Sequence, residues 1–135
     1  MKNKVASVML INNRKEFLFC LRDNKPEIPY PNKWALIGGH LENDEKPLDA
    51  LKREIKEEIE MEFYDNFEFI GKIEDDGANN EVFIYKNKIN QEIKEINLTE
   101  GQKLGFFNFN EILTLDTPKP LNDFLQKYKE KILNT

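Results

Sequence analysis

Between Gly38 and Met61 the chain sets a glycine pair, a short polar turn and then a run in which carboxylates and aliphatic residues recur at helical spacing. With about 100° of rotation per residue, Glu54, Glu57 and Glu58 fall within an arc of roughly 100°. Leu48, Leu51, Ile55 and Ile59 share the neighbouring face, which suits a buried stripe. Three like charges so placed repel by a few tenths of a kcal/mol per pair unless a cation sits among them. Hard oxygen donors grouped this way suit Mg2+ or Mn2+, which reach phosphate substrates through a few carboxylates and several waters. Taken alone, a glutamate-rich helix reads more readily as a solvated face in which Lys52, Arg53 and Lys56 offset the acids.

The joint spacing favours the functional reading. Gly39 is followed after five residues by Glu45, and seven residues later come Arg53-Glu54, an apolar residue, a spacer and Glu57-Glu58. This resembles the signature of the Nudix hydrolase family, with one departure: Glu60 stands where that family has glycine. A glycine there ends the helix in a left-handed cap, a conformation that suits glutamate poorly. Either the helix runs on past Ile59 or Glu60 carries strain. No metal ligand is lost in either case, so Glu60 bears on backbone geometry rather than chemistry. Two lesser departures flank the stretch: Ile37 replaces a proline often seen before the glycines, and Lys46 is a weak cap ahead of Pro47, which suits a first helical position.

The resemblance implies an α/β/α sandwich with a mixed β-sheet, forming a single domain over residues 1–135. The order of elements read from the residues agrees. Val5 to Ile11 and Glu16 to Leu21 read as strands about a turn at Asn12-Asn13, and Trp34 to Ile37 as a short strand entering the glycines. Three prolines make Arg22 to Lys33 an exposed loop. Phe67 to Ile70 and Val82 to Tyr85 read as strands separated by a turn through Asp75-Asp76-Gly77 and Asn79-Asn80. A polar return with Ile89, Ile93 and Ile96 follows, then a strand from Leu104 to Phe109 and a helical turn at Glu111-Ile112-Leu113. Leu121, Phe124, Leu125, Tyr128 and Ile132 recur at helical spacing and close the chain with an amphipathic helix.

The chain has 135 residues, a net charge of −5, a pI near 5.1 and one cysteine. The acidic balance argues against a nucleic-acid duplex or an anionic membrane as partner. It is compatible with a small polyanion that brings its own metal. A single cysteine permits no internal disulfide, and Cys20, within an apolar run, reads as a core residue. With no signal or membrane-spanning segment apparent, a cytoplasmic location is expected. Composition does not distinguish monomer from homodimer.

The family hydrolyses a nucleoside diphosphate linked to another group. The resemblance assigns metal binding to Glu54, Glu57 and Glu58, with the Gly38 carbonyl as a further ligand and Mg2+ or Mn2+ as the ion. Glu100, in the Glu100-Gly101-Gln102 turn, joins the metal site in nucleotide-pool members. The base that deprotonates water is Glu54 or Glu100. Arg53 completes the catalytic set by pairing with Glu45. Arg22 is a candidate phosphate contact, or else the partner of Asp23. Tyr30 and Trp34 are candidates for stacking on a base, with core packing the commoner role. Asn122 stands about where oxidised-dGTP hydrolases carry a base-reading asparagine; it reads otherwise as a helix-start residue. His40 reads as structural or exposed. The expected reaction is hydrolysis of a nucleoside triphosphate, oxidised ones included, to monophosphate and pyrophosphate. The alternatives are an ADP-ribose, nucleotide-sugar or dinucleoside polyphosphate hydrolase, and a nucleotide-binding module without catalysis.

Overall fold

A computed structural model describes residues 1–134. Its axis is β1 (Asn3–Ile11), which takes β4 (Ile37–His40) antiparallel along one edge and β6 (Asn80–Lys88) parallel along the other. The hairpin partner β2 (Glu16–Leu21) pairs with β1 only at Ile11 and Phe17, then diverges to take up β3 (Trp34–Ala35) and β7 (Lys103–Asn108). An outer strand, β5 (Glu68–Asp75), completes a seven-stranded mixed sheet against β6. The hairpin is set locally: Asn12 Oδ1 accepts the amides of Arg14 and Glu16 at 3.0 and 2.9 Å, an Asx turn of the kind asparagine favours.

Strand alternation divides the core in two. Met9, Ile11, Phe17 and Phe19 project to one side, where they meet Phe109, Leu121, Phe124, Leu125 and Ile132. Ala6, Val8, Leu10 and Leu18 project to the other and bury Leu51, Ile55 and Ile59 of α1 (Pro47–Ile59). Each fully buried aliphatic side chain contributes roughly 1.5–3 kcal/mol. Both faces of the sheet are therefore covered, giving the expected sandwich.

Several boundaries differ from the sequence reading. The expected strand from Trp34 to Ile37 divides at Leu36, because β1 and β2 have splayed and each claims one half. β5 runs on to Asp75, making that residue part of a strand rather than a turn. The closing helix breaks at Tyr128 into α3 (Lys119–Lys127) and α4 (Lys129–Leu133), after a short α2 (Phe109–Ile112). Tyr128 lies over Gly71, where an added Cβ would come 2.7 Å from its ring. The buried Lys86 ammonium donates to the carbonyls of Ile132 and Asn134 at 2.6 and 2.9 Å, satisfying the end of α4. Cys20 is half-buried and packs against the core on the α1 side of the sheet.

At the end of α1 the chain takes the strained alternative. The helix stops at Ile59, and Glu60 adopts the left-handed conformation (φ 53°, ψ 38°) with its amide donating to the Lys56 carbonyl at 3.0 Å. For an L-residue other than glycine this costs roughly 1–2 kcal/mol. At the other end Pro47 opens the helix and Lys46 makes no side-chain cap, as its sequence suggests.

Candidate active site

The site is assembled where β4 passes beneath α1. Neither glycine of β4 has room for a side chain. A Cβ on Gly38 would lie 2.2 Å from the Ala6 carbonyl oxygen, and one on Gly39 would lie 2.3 Å from the Glu54 carboxyl carbon. Gly39 thus lets the Glu54 carboxylate rest against the backbone of β4, while Gly38 lets β4 close on Ala6 and Ser7 of β1. The Gly38 amide donates to Glu58 Oε2 at 2.9 Å.

Arg53 is the cation of this arrangement. Its Nε and Nη2 donate to Glu45 Oε2 and Oε1, both at 2.9 Å, a two-pronged pairing that fixes the loop against the helix. Nη1 reaches Glu54 at 2.9 Å and Glu57 at 3.2 Å, and Nη2 also donates to the His40 carbonyl at 3.0 Å. The guanidinium holds the Glu45 carboxyl down at about 2, and Glu45 in turn raises Arg53. The pairing implied by the resemblance is present.

The acids divide around this cation. Glu54 is 17% exposed and faces β4, whereas Glu57 is 58% exposed and faces solvent beside Arg53. Burial raises the Glu58 carboxyl to about 8; the Gly38 amide opposes the shift, and Glu54 and Glu100 add to it. Glu54 is raised as well, by burial first, with Arg53 opposing. Among the described residues, no three His, Cys, Asp or Glu side chains already converge as a metal-binding group. Within the arc read from the helix, Arg53 Nη1 bridges Glu54 and Glu57, and Glu58 turns to the Gly38 amide. The donor chemistry still fits a hard divalent cation: the half-buried carboxylates of Glu54 and Glu58 and that of Glu100 stand close enough to repel one another, and Arg53 serves Glu45, Glu54 and Glu57 but not Glu58.

A cleft of about 500 Å3 extends from these acids. Glu54, Glu58, Glu100, Arg22 and the Gly38-Gly39 backbone line it together with apolar Val5, Val82, Ile84, Ile73 and Leu121; Glu57 does not. Arg22 lines the cleft and donates Nε to the Pro29 carbonyl at 2.9 Å; Asp23 instead lies 4.0 Å from Lys25. Tyr30 also lines it, its hydroxyl donating to the buried Asp75 carboxylate at 2.9 Å. Burial, with Asp75 adding, pushes that phenol up to about 12. Asn80 also lines the cleft, and its buried Oδ1 has no partner among the described residues.

Two candidates stand elsewhere. Trp34 packs edge-on against Phe107, with ring centroids 5.0 Å apart, in the core. Asn122 does not line the cleft, although its neighbours Pro120 and Leu121 do. Its amide donates to the Leu113 carbonyl at 3.1 Å and accepts from Gln126 at 2.6 Å. The helical register of α3 turns Leu121 inward and commits Asn122 to this bracing role, which removes it from the substrate-facing residues.

Sequence reasoning missed Asp75 and Asn80, which read as turn residues, and Ser7, which flanks Gly38. Only the pairing of β5 with β6 brings Asp75 opposite Asn80. No local signal marks them.

A mixed sheet between helical layers, with a glycine strand beneath an acidic helix, defines the Nudix class of fold. The comparisons agree. The NUDIX domain family matches residues 1–128. A solved MutT protein from Methanosarcina mazei Go1 superposes with a TM-score of 0.84 at 18% identity, over 98% of this chain and 96% of that one. The NUDIX domain of Shewanella oneidensis NrtR, solved with ADP ribose, gives 0.72 at 14% identity, over 97% and 86%. Among curated relatives, nucleoside triphosphatase NudI of Escherichia fergusonii is 37% identical over 59 residues, which span 44% of this chain and 41% of that protein. The chain belongs to the Nudix hydrolase family.

Proposed function

We propose that this protein hydrolyses nucleoside triphosphates to the monophosphate and pyrophosphate with a divalent metal. The carrying observation is one cleft lined both by the carboxylates Glu54, Glu58 and Glu100 and by apolar Val5, Val82, Ile84 and Leu121. A polyphosphate belongs beside the carboxylates only when a cation accompanies it, and a base and sugar suit the apolar lining. The similarity to nucleoside triphosphatase NudI supports the triphosphate as substrate.

Glu54, Glu57, Glu58, Glu100 and the Gly38 carbonyl would hold Mg2+ or Mn2+. When bound, the ion supplies neutralisation of the phosphate oxygens and an acidified water. Arg22, lining the same cleft, offers a donor to a phosphate oxygen. Glu54 is the general base in this reading: it lines the cleft, burial raises its carboxyl, and Arg53 fixes its orientation at 2.9 Å. Arg53 itself is a positioning residue, engaged with Glu45, Glu54, Glu57 and the His40 carbonyl.

The test is a panel of ordinary and oxidised nucleoside triphosphates, ADP-ribose, nucleotide sugars and dinucleoside polyphosphates, assayed with and without Mg2+. Monophosphate and pyrophosphate released from triphosphates, only with metal, is the expected result. Cleavage confined to ADP-ribose or nucleotide sugars would replace the triphosphate reading. No turnover of any substrate would leave a binding module. Glu54→Gln and Glu100→Gln compared across pH distinguish the two candidate bases.

A further inference from the structure

Glu60 occupies the position of a family glycine, and its side chain is not idle. Asn97 Nδ2 donates to Glu60 Oε1 at 2.5 Å. Two residues later, Thr99 donates its amide to the Glu58 carbonyl at 2.8 Å and its hydroxyl to the Glu57 carbonyl at 2.5 Å. Those carbonyls belong to the last turn of α1, where no intrahelical donor remains. A segment from far along the chain therefore caps the helix that carries the carboxylates.

Glu100 follows directly. On its far side, Gly101 (φ 93°) turns the chain tightly against Cys20, and the Gln102 amide donates to the Leu21 carbonyl at 2.8 Å. The acid is held between two anchors, the end of α1 before it and the end of β2 after it. The second anchor adds the Gln102 side chain, whose Nε2 donates to the Arg22 carbonyl and to Asn32 Oδ1, both at 2.8 Å. In the first, the only side-chain to side-chain bond among the described residues is the one from Asn97 to Glu60. A non-glycine residue persists in the left-handed region where its surroundings stabilise it, and this bond provides such stabilisation.

We propose that Glu60 is a positioning residue which, through Asn97 and Thr99, fixes Glu100 beside Glu54 and Glu58. The proposal rests on the reading of Glu100 as a member of the site. A glycine at position 60 preserves the left-handed turn and relieves its strain, yet loses the bond to Asn97. Stability and turnover are thereby separated.

The experiment compares Glu60→Gly, Glu60→Gln and wild type, each also in a Glu100→Gln background. The first readout needs no metal and no turnover: amide hydrogen exchange over residues 97–100. Exchange there should quicken about tenfold in Glu60→Gly, while the body of α1 is unchanged. Turnover of the best triphosphate should fall about tenfold in kcat, with KM little changed and the melting temperature equal or higher. Glu60→Gln, which keeps the acceptor oxygen, should restore both readouts. In the Glu100→Gln background, Glu60→Gly should have no further effect on kcat, as expected for residues acting as one unit. Wild-type exchange in Glu60→Gly, an equal kcat loss in both backgrounds, or failure of Glu60→Gln to restore would each overturn the proposal. Full turnover in Glu100→Gln alone would instead remove Glu100 from the reaction, and the proposal with it.

Discussion

The amide of Gly38 donates to the carboxylate of Glu58 across 2.9 Å, joining the glycine strand to the acidic helix. It is the only hydrogen bond given to that carboxylate among the described residues, and Glu58 is otherwise enclosed beside Glu54 and Glu100. A half-buried acid with one neutral donor and two acidic neighbours, opposed only by Arg22, is costly to ionise in the fold by itself.

A pH dependence follows. The folded carboxyl of Glu58 titrates near 8 against 4.5 for an ordinary glutamate. Between those values the metal-free native state holds a proton that the unfolded chain has released. Stability should therefore decline as pH rises through this window and level off above about 8. Mg2+ should reverse the decline and release a proton on binding. Thermal melts from pH 5 to 9 with and without Mg2+, and calorimetric titrations in buffers of different ionisation enthalpy, check both statements. Flat melts without metal would refute the burial of this charge.

Glu58→Gln should consequently separate stability from activity. The amide carries no charge to bury, so the metal-free protein should melt higher than wild type at pH 8. Turnover should drop about a hundredfold or more with the loss of an anionic ligand. Side-by-side melting and kinetics at one pH suffice to check it.

Gly39→Ala is expected to fold and yet lose the site. The new methyl would meet the Glu54 carboxyl group, a flexible side chain that can swing aside. Its displacement should cut turnover by about a hundredfold while the melting temperature moves little. Gly38→Ala is the contrasting case, because its methyl meets the backbone of Ala6 and Ser7, which cannot yield so easily. That variant should lose stability as well.

Arg53→Lys should not substitute for arginine. A lysine presents one ammonium where Arg53 divides five donors among Glu45, Glu54, Glu57 and the His40 carbonyl. The expected cost is about 1 kcal/mol of stability, small because solvent reaches the group. A larger loss in kcat should accompany it, since Glu54 is no longer oriented. Equal kcat in the two proteins would show that Arg53 acts only on the fold.

Asn80→Leu addresses the uncharged lining of the cleft. Its buried Oδ1 lacks a partner among the described residues, so replacing the amide by an apolar group of similar shape should not destabilise the fold. If the substrate supplies the missing donor, KM should rise several-fold with kcat within about twofold of wild type. Unchanged KM for every accepted nucleotide would exclude Asn80 from recognition.

What the sequence determined by itself is whatever depends on residues near one another in the chain. The spacing from Gly39 to Glu58 identified the family, the period of α1 separated its buried stripe from its acids, and the alternation along β1 and β2 provided for two cores. Asn12 marked its own turn, and Pro47 the start of its helix. Local chemistry suffices in each case, because the partners lie within a few residues. Even the ambiguity at Glu60 was legible, although not its resolution.

The tertiary structure decided everything that depends on which distant segments meet. The splaying of β1 from β2 divided the strand expected at Trp34 to Ile37. The register of α3 took Asn122 out of the cleft, one residue from Leu121, which lines it. Arg53 Nη1 bridges Glu54 and Glu57, and only packing decides that the first is 17% and the second 58% exposed. Asp75 and Asn80 became a facing pair through strand pairing, and Asn97 and Thr99 reached the end of α1 across some forty residues of chain. Side chains acquire such roles from long-range packing, which fixes their direction and burial, and neither quantity is written in the spacing of residues along a chain.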